Sequence, residues 1–216
     1  TEPPLRVMQT AEGLTRITRE LVERLEADGL IYTELRFAPQ FHLEGGMTQE
    51  NAVQAAIAGL EQGLASCKTL KAGLILCAMN HCDPASNHAE NLETVQLAKK
   101  YLGQGVCGMD LAGYEERMPE YADLFALARE LGIPATTHSE FTVGEALVYS
   151  TTRIGHGYQA ALLPELTEAV IERGVTLEMC PDSSLSYEYH LSCDSTHPLY
   201  VLYQKGARVT VNTDNL

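Results

Sequence analysis

The 216-residue sequence predicts an α/β fold of the (β/α)8 TIM-type barrel class, with seven of its strands visible. Three observations predict it. From Gly29 onward, short apolar runs alternate with stretches of helical period, and strictly alternating βα units imply a parallel sheet covered by helices. The strand candidates are apolar on both faces, as buried parallel strands are. Polar residues close nearly all of them: Glu34 and Arg36, Asn80 and His81, Asp110, His138, His156, Asp182 and Asp214. An active barrel face is built from such strand ends. An open doubly wound sheet uses the same units, but no Gly-x-Gly-x-x-Gly follows the first strand.

The elements follow in order. "LIYTELRFAP" is a short apolar run with β-branched and aromatic residues. "TQENAVQAAIAGLEQGLASC" has Thr48 at the N-cap position and apolar residues at helical spacing. "AGLILCAM" predicts a strand, "NLETVQLAKKYL" a helix and "GVCGMDLAG" a strand. "PEYADLFALARELG" predicts a helix closed by Gly132. "IPATTHS", "VGEALVYS", "TRIGHGY", "PELTEAVIERG", "VTLEMCP", "HPLYVLYQKG" and "RVTVNTD" continue the rhythm. The longest loops expected are "NHCDPASNHAEN" and "CPDSSLSYEYHLSCDSTHP", and long loops after strands usually shape a site. No Gly/Ser-rich or Pro-rich linker interrupts the chain. Residues 1–216 therefore read as a single barrel domain, incomplete at both ends.

A content of 45% hydrophobic residues suffices for a well-packed core. The net charge of −14, without any Lys/Arg run, argues against a nucleic-acid partner. No apolar run approaches the ~20 residues of a membrane span, and no charged-then-apolar leader is visible. Six cysteines are scattered without a Cys-x-x-Cys pair and read as reduced thiols, so the expectation is a cytoplasmic protein.

His138, His156 and Asp214 carry the chemistry. Alone, each has an ordinary reading: a packed or surface histidine, or an aspartate capping a turn. At the ends of strands in a barrel, however, the three would converge on one pocket. Imidazole nitrogen and carboxylate oxygen are natural donors to Zn²⁺, which lowers the pKa of a bound water towards ~7.

"LRVMQT", "YTELRFAP", "NLETVQLAKKYLG", "GMDLAGYE", "RIGHGY", "LEMCP", "HPLYVLYQKG" and "VTVNTDN" run in this order along the chain, which thereby resembles the bacterial adenosine deaminases of the amidohydrolase superfamily. The resemblance implies a zinc-dependent hydrolase. Adenosine or deoxyadenosine would be its substrate, inosine and ammonia its products from the former. It implies that His138 and Asp214 bind the metal and that His156 handles the proton of the attacking water. Gly113 would offer its backbone N–H to the purine, and Asn215 would contact the purine N7. The partner expected is therefore a small purine nucleoside.

Two family features are absent from the sequence. Nothing in the chain is His-x-His, the pair that supplies two further zinc ligands in the family. The family's His-Ala-Gly-Glu, whose Glu protonates the purine at N1, is replaced by His138-Ser139-Glu140. Glu140 is then either a shifted acid or a residue of the next helix, facing outward or along the rim, after a loop missing from the sequence. The shortness of "VGEALVYS" favours the missing loop, because ~10 residues of helix span only ~15 Å.

Other residues have plainer readings. Glu34 and Arg36 share a strand face and suggest a structural ion pair. His81, His88 and His190 read as solvated loop residues, His197 as a helix cap or packing group, and Tyr187 and Tyr189 as either lid or surface. Cys180-Pro181 lacks the second cysteine of the cytidine-type deaminase motif. Two other activities stay open: an aminohydrolase acting on adenine, a modified adenosine or an adenine nucleotide, and a purine-binding barrel without catalysis. No Arg/Lys cluster stands at a strand end for a phosphate, which weighs against the nucleotide.

Overall fold

The structure, a computed structural model, describes residues 2–149, 151–186 and 195–214. It is α/β, with seven strands among those residues. They form a three-stranded sheet in the order β1-β2-β3 and a four-stranded sheet in the order β4-β5-β6-β7. The chain divides into two compact units, Thr1–Asp110 with Leu127–Pro134, and Leu111–Ala126 with Ala135–Leu216.

The first unit opens with helices α1 (Glu2–Val7) and α2 (Ala11–Ala27), which precede the alternating part of the sequence. Thr10 starts α2 by accepting a hydrogen bond from Gly13 N at 3.1 Å. Strand β1 (Tyr32–Phe37) pairs in parallel with β2 (Lys71–Asn80), in the register Tyr32↔Lys71 to Phe37↔Leu76. Between them runs α3 (Gln49–Ser66). Thr48 caps it as expected, and Asn51 returns the bond to complete a capping box. Helices α2 and α3 pack closely because α3 presents glycines: a Cβ on Gly63 would lie 2.7 Å from Val22 Cβ. Leu74, Ile75, Leu76 and Ala78 of β2 are buried, as a strand covered on both faces requires.

One expectation changes here. "NHCDPASNHAEN" is mostly helix, not loop: α4 runs Pro84–Lys100, with Asp83 at the N-cap and Pro84 in its first turn. Its polar residues turn inward. The Asn87 and Asn91 side chains donate to Met79 O at 2.7 and 2.8 Å, and Asn91 Oδ1 accepts from Met79 N at 2.9 Å. These side-chain amides continue the backbone bonding at the end of β2, so polar character does not signal solvent. Arg36 pairs with Asp110 of β3 (Val106–Gly113) at 3.1 Å, and Glu34 accepts from Tyr32 Oη at 2.6 Å. Asp110 is fully buried, and a buried carboxylate needs a countercharge.

The second unit takes the last residues of β3, a 3₁₀ helix over Glu115–Tyr121 and the start of α5 (Ala122–Leu131). Then come β4 (His138–Ser139), α6 (Val143–Val148), β5 (Arg153–His156), α7 (Gln159–Leu162), α8 (Pro164–Glu172), β6 (Thr176–Met179), α9 (Pro181–Ser186), α10 (Pro198–Gln204) and β7 (Arg208–Val211). All three pairings within its sheet are parallel. Tyr121, Met118, Ile154, Tyr158 and Leu177 are fully buried. Strand β7 departs from the two-faced burial expected, with Val211 68% exposed. Among the described residues, no helix is long and apolar enough to cross a membrane.

Candidate metal centre and active site

The second unit's sheet brings three of the expected residues together. One ligand atom each of His138, His156 and Asp214 lies within 4.8 Å of the others. The register explains it. Ser139 of β4 stands opposite His156 of β5, and Met179 of β6 opposite Val211 of β7, so the strands end level. His138 and His156 face each other with ring centroids 5.4 Å apart.

The backbone at these positions is unusual. Among the described residues, His156 (φ 65) and Asp214 (φ 63) alone are non-glycine residues with positive φ. Such a conformation costs on the order of 1–3 kcal/mol and persists only where the surroundings enforce it. Gly157 follows with φ 73, and a Cβ there would meet Leu177 Cδ2 at 2.8 Å. This is the physical content of "RIGHGY": β5 ends in two successive left-handed residues, the second of which must be glycine.

The His156 ring is buried and held from both sides. Nδ1 lies 3.4 Å from Tyr158 Oη, which itself donates to Cys180 O at 2.9 Å. Nε2 lies 3.8 Å from Glu140 Oε1. The expectation for Glu140 is therefore corrected: its carboxylate faces the histidine pocket rather than outward along α6. It precedes that helix, in the turn that leaves β4 at Ser139. The turn is anchored. Glu140 O accepts from Gln159 N at 2.9 Å, and Val143 N donates to Gln159 Oε1 at 2.9 Å. Glu115 takes hydrogen bonds from residues 140, 141 and 142.

Gly113 ends β3 with φ 132, a conformation that favours glycine. Asn215, Tyr187, Tyr189 and His190 lie outside the described residues. His197 is a buried cap, accepting from Leu199 N at 3.1 Å. His81 is exposed, as expected, whereas His88 is half-buried within α4 rather than in a loop. Cys180 is buried and outside the metal-capable group found among the described residues. The sequence marks neither Glu115 nor Tyr158 as a functional residue, although they stand in "GMDLAGYE" and "RIGHGY". Nothing in spacing alone shows which neighbours they meet.

The sequence profile of the adenosine deaminases matches residues 4–216. The chain belongs to the adenosine deaminase family. It is 40% identical to an adenosine deaminase of Haemophilus ducreyi over 99% of this chain and 64% of that protein. For an adenosine deaminase of Clostridium acetobutylicum the identity is 38%, over 98% and 64%. The chain thus spans about 64% of the length of these adenosine deaminase relatives. Among solved structures, an amidohydrolase from Burkholderia ambifaria with bound Zn superposes with a TM-score of 0.83 at 24% identity, covering 95% of this chain and 58% of that one. The chain therefore shares the α/β fold of that amidohydrolase, with seven strands among its described residues.

Proposed function

We propose that the protein is a zinc-dependent adenosine deaminase that hydrolyses adenosine, and deoxyadenosine likewise, to inosine (or deoxyinosine) and ammonia. The observation that carries this reading is the meeting of His138, His156 and Asp214 at level strand ends, with the Glu140 carboxylate beside them. An imidazole and a carboxylate are fitting donors for zinc. His138 and Asp214 would hold the ion. Bound there, zinc supplies an acidified water as nucleophile at neutral pH.

The chain's own residues do the rest. Tyr158 Oη is committed as donor to Cys180 O, so it offers His156 Nδ1 a lone pair. That favours the tautomer with Nδ1–H, leaving Nε2 as the base on the side of Glu140. Nε2 receives the proton of the attacking water. Glu140 gives a proton to the purine ring nitrogen N1 as oxygen adds at C6. The proton held by His156 then passes to the amino group, the C6–N bond breaks and ammonia leaves, while the proton of the added hydroxyl restores Glu140 and C6 becomes a carbonyl. Gly113 offers its N–H to the purine and Asn215 its amide to N7. The same reading takes residues 1–216 as part of one hydrolase domain. The five described cysteines are thiols, not disulfides, which supports a place in the reducing cytoplasm.

The direct test incubates the metal-loaded full-length protein with adenosine and follows inosine and ammonia. Turnover that a chelator abolishes and zinc restores is expected. A metal-loaded, folded protein that forms no inosine would remove the proposal.

A further inference from the structure

We infer that Glu115 is a positioning residue that sets the place of Glu140 in the active site. The inference rests on the deaminase reading for its kinetic consequence but not for its geometry. Glu115 Oε2 accepts from Glu140 N at 2.6 Å, Phe141 N at 3.0 Å and Thr142 Oγ1 at 2.9 Å. Oε1 also lies 3.2 Å from Phe141 N. Three consecutive residues thus turn their donors onto one carboxylate, and charge-assisted bonds of this kind are about twice as strong as neutral ones.

The local sequence leaves that task to Glu115. Strand β4 is two residues long, so the sheet stops guiding the chain at Ser139. Thr142 stands at the N-cap of α6 without a side-chain capping bond, its hydroxyl being given to Glu115 instead. The donors of residues 140–142 are therefore held by a carboxylate that starts the 3₁₀ helix after β3, while Gln159 holds Glu140 O and Val143 N on the other side of the turn. Glu140 is the residue whose carboxylate reaches to 3.8 Å from His156 Nε2. A displacement of ~1 Å at a reacting group can cost on the order of 10²-fold in rate.

The test compares Glu115→Ala, Glu115→Gln and Glu140→Gln, alone and combined, in the full-length protein. Glu115→Ala should lower kcat by roughly 10–100-fold with KM and zinc content near normal. Glu115→Gln, whose carbonyl can replace Oε2, should recover most of that loss. In the Glu140→Gln background, Glu115→Ala should cost little more, because both changes act through one group. Amide exchange over residues 139–144 should quicken in Glu115→Ala. Losses that multiply across the two sites, or unchanged kcat and exchange in Glu115→Ala, overturn the inference. Should the alanine variant not fold, Glu115→Asp, one methylene shorter, is read in the same way. If the wild type makes no inosine, the deaminase reading fails, and exchange alone decides on Glu115: quickened exchange upholds its hold on the turn and unchanged exchange removes it.

Discussion

His156 combines a left-handed backbone, a buried ring and contacts from Tyr158 and Glu140 at its two nitrogens. If it handles the water's proton, His156→Ala should lower kcat by roughly 10²–10⁴-fold while zinc content stays near normal. A variant that loses zinc yet keeps its rate per bound metal would reassign His156 as a ligand. A second residue-scale prediction concerns His42, which is buried in the first unit with Nδ1 3.0 Å from Met8 O. Burial pushes its pKa below the ordinary value, outweighing the raising effect of that hydrogen bond. The unfolded chain then binds a proton more readily than the folded one. The stabilising effect is complete above ~6.5, the unfolded pKa, and is lost as pH falls from there through the lower folded value. His42→Asn should therefore show a smaller loss of denaturant midpoint than wild type between about pH 7.5 and pH 5. Equal losses would mean that His42 is not the group responsible.

At the scale of elements, helix packing depends on small residues that no hydropathy pattern singles out. Gly63→Ala sets two effects against each other. Alanine favours a helix interior over glycine by about 1 kcal/mol. Its Cβ would meet Val22 Cβ and Cγ1 at 2.7 and 2.8 Å, and those atoms sit on a packed, β-branched side chain rather than on a flexible tip. Overpacking costs about 1–3 kcal/mol, so a net loss of stability is expected from chemical denaturation. A more stable variant would show that α2 moves away from α3 at little cost. The same scale explains α4. Its first turns are polar in sequence, but Asn87 and Asn91 spend their amides on the end of β2.

At the scale of the whole molecule, a metal bound only by the folded state adds stability by mass action. The proposed ligands His138 and Asp214 come from β4 and the chain after β7, which are distant in sequence. Removing zinc from the full-length protein by chelation should lower Tm by several degrees, and added zinc should restore it. His138→Ala should reduce both the zinc content, expected at about one per chain in wild type, and this zinc-dependent rise in Tm. A Tm insensitive to chelation together with no bound metal would count against His138 and Asp214 as ligands.

By itself, the sequence determined the order of strands and helices from Gly29, the Thr48 cap, and the family through "RIGHGY", "LEMCP" and "VTVNTDN". These are local properties: apolar period, capping chemistry and short motifs are all read within a few residues. Only the tertiary structure decided what depends on parallel register and side-chain reach. It set Arg36 against Asp110, turned the amides of α4 inward, and aimed Glu140 at His156 rather than outward. The physical reason is that a buried charge or amide is satisfied by whichever partner the fold brings near, and that partner stands far away in sequence. Glu115 makes the point: 25 residues separate it from Glu140, and one carboxylate receives the turn.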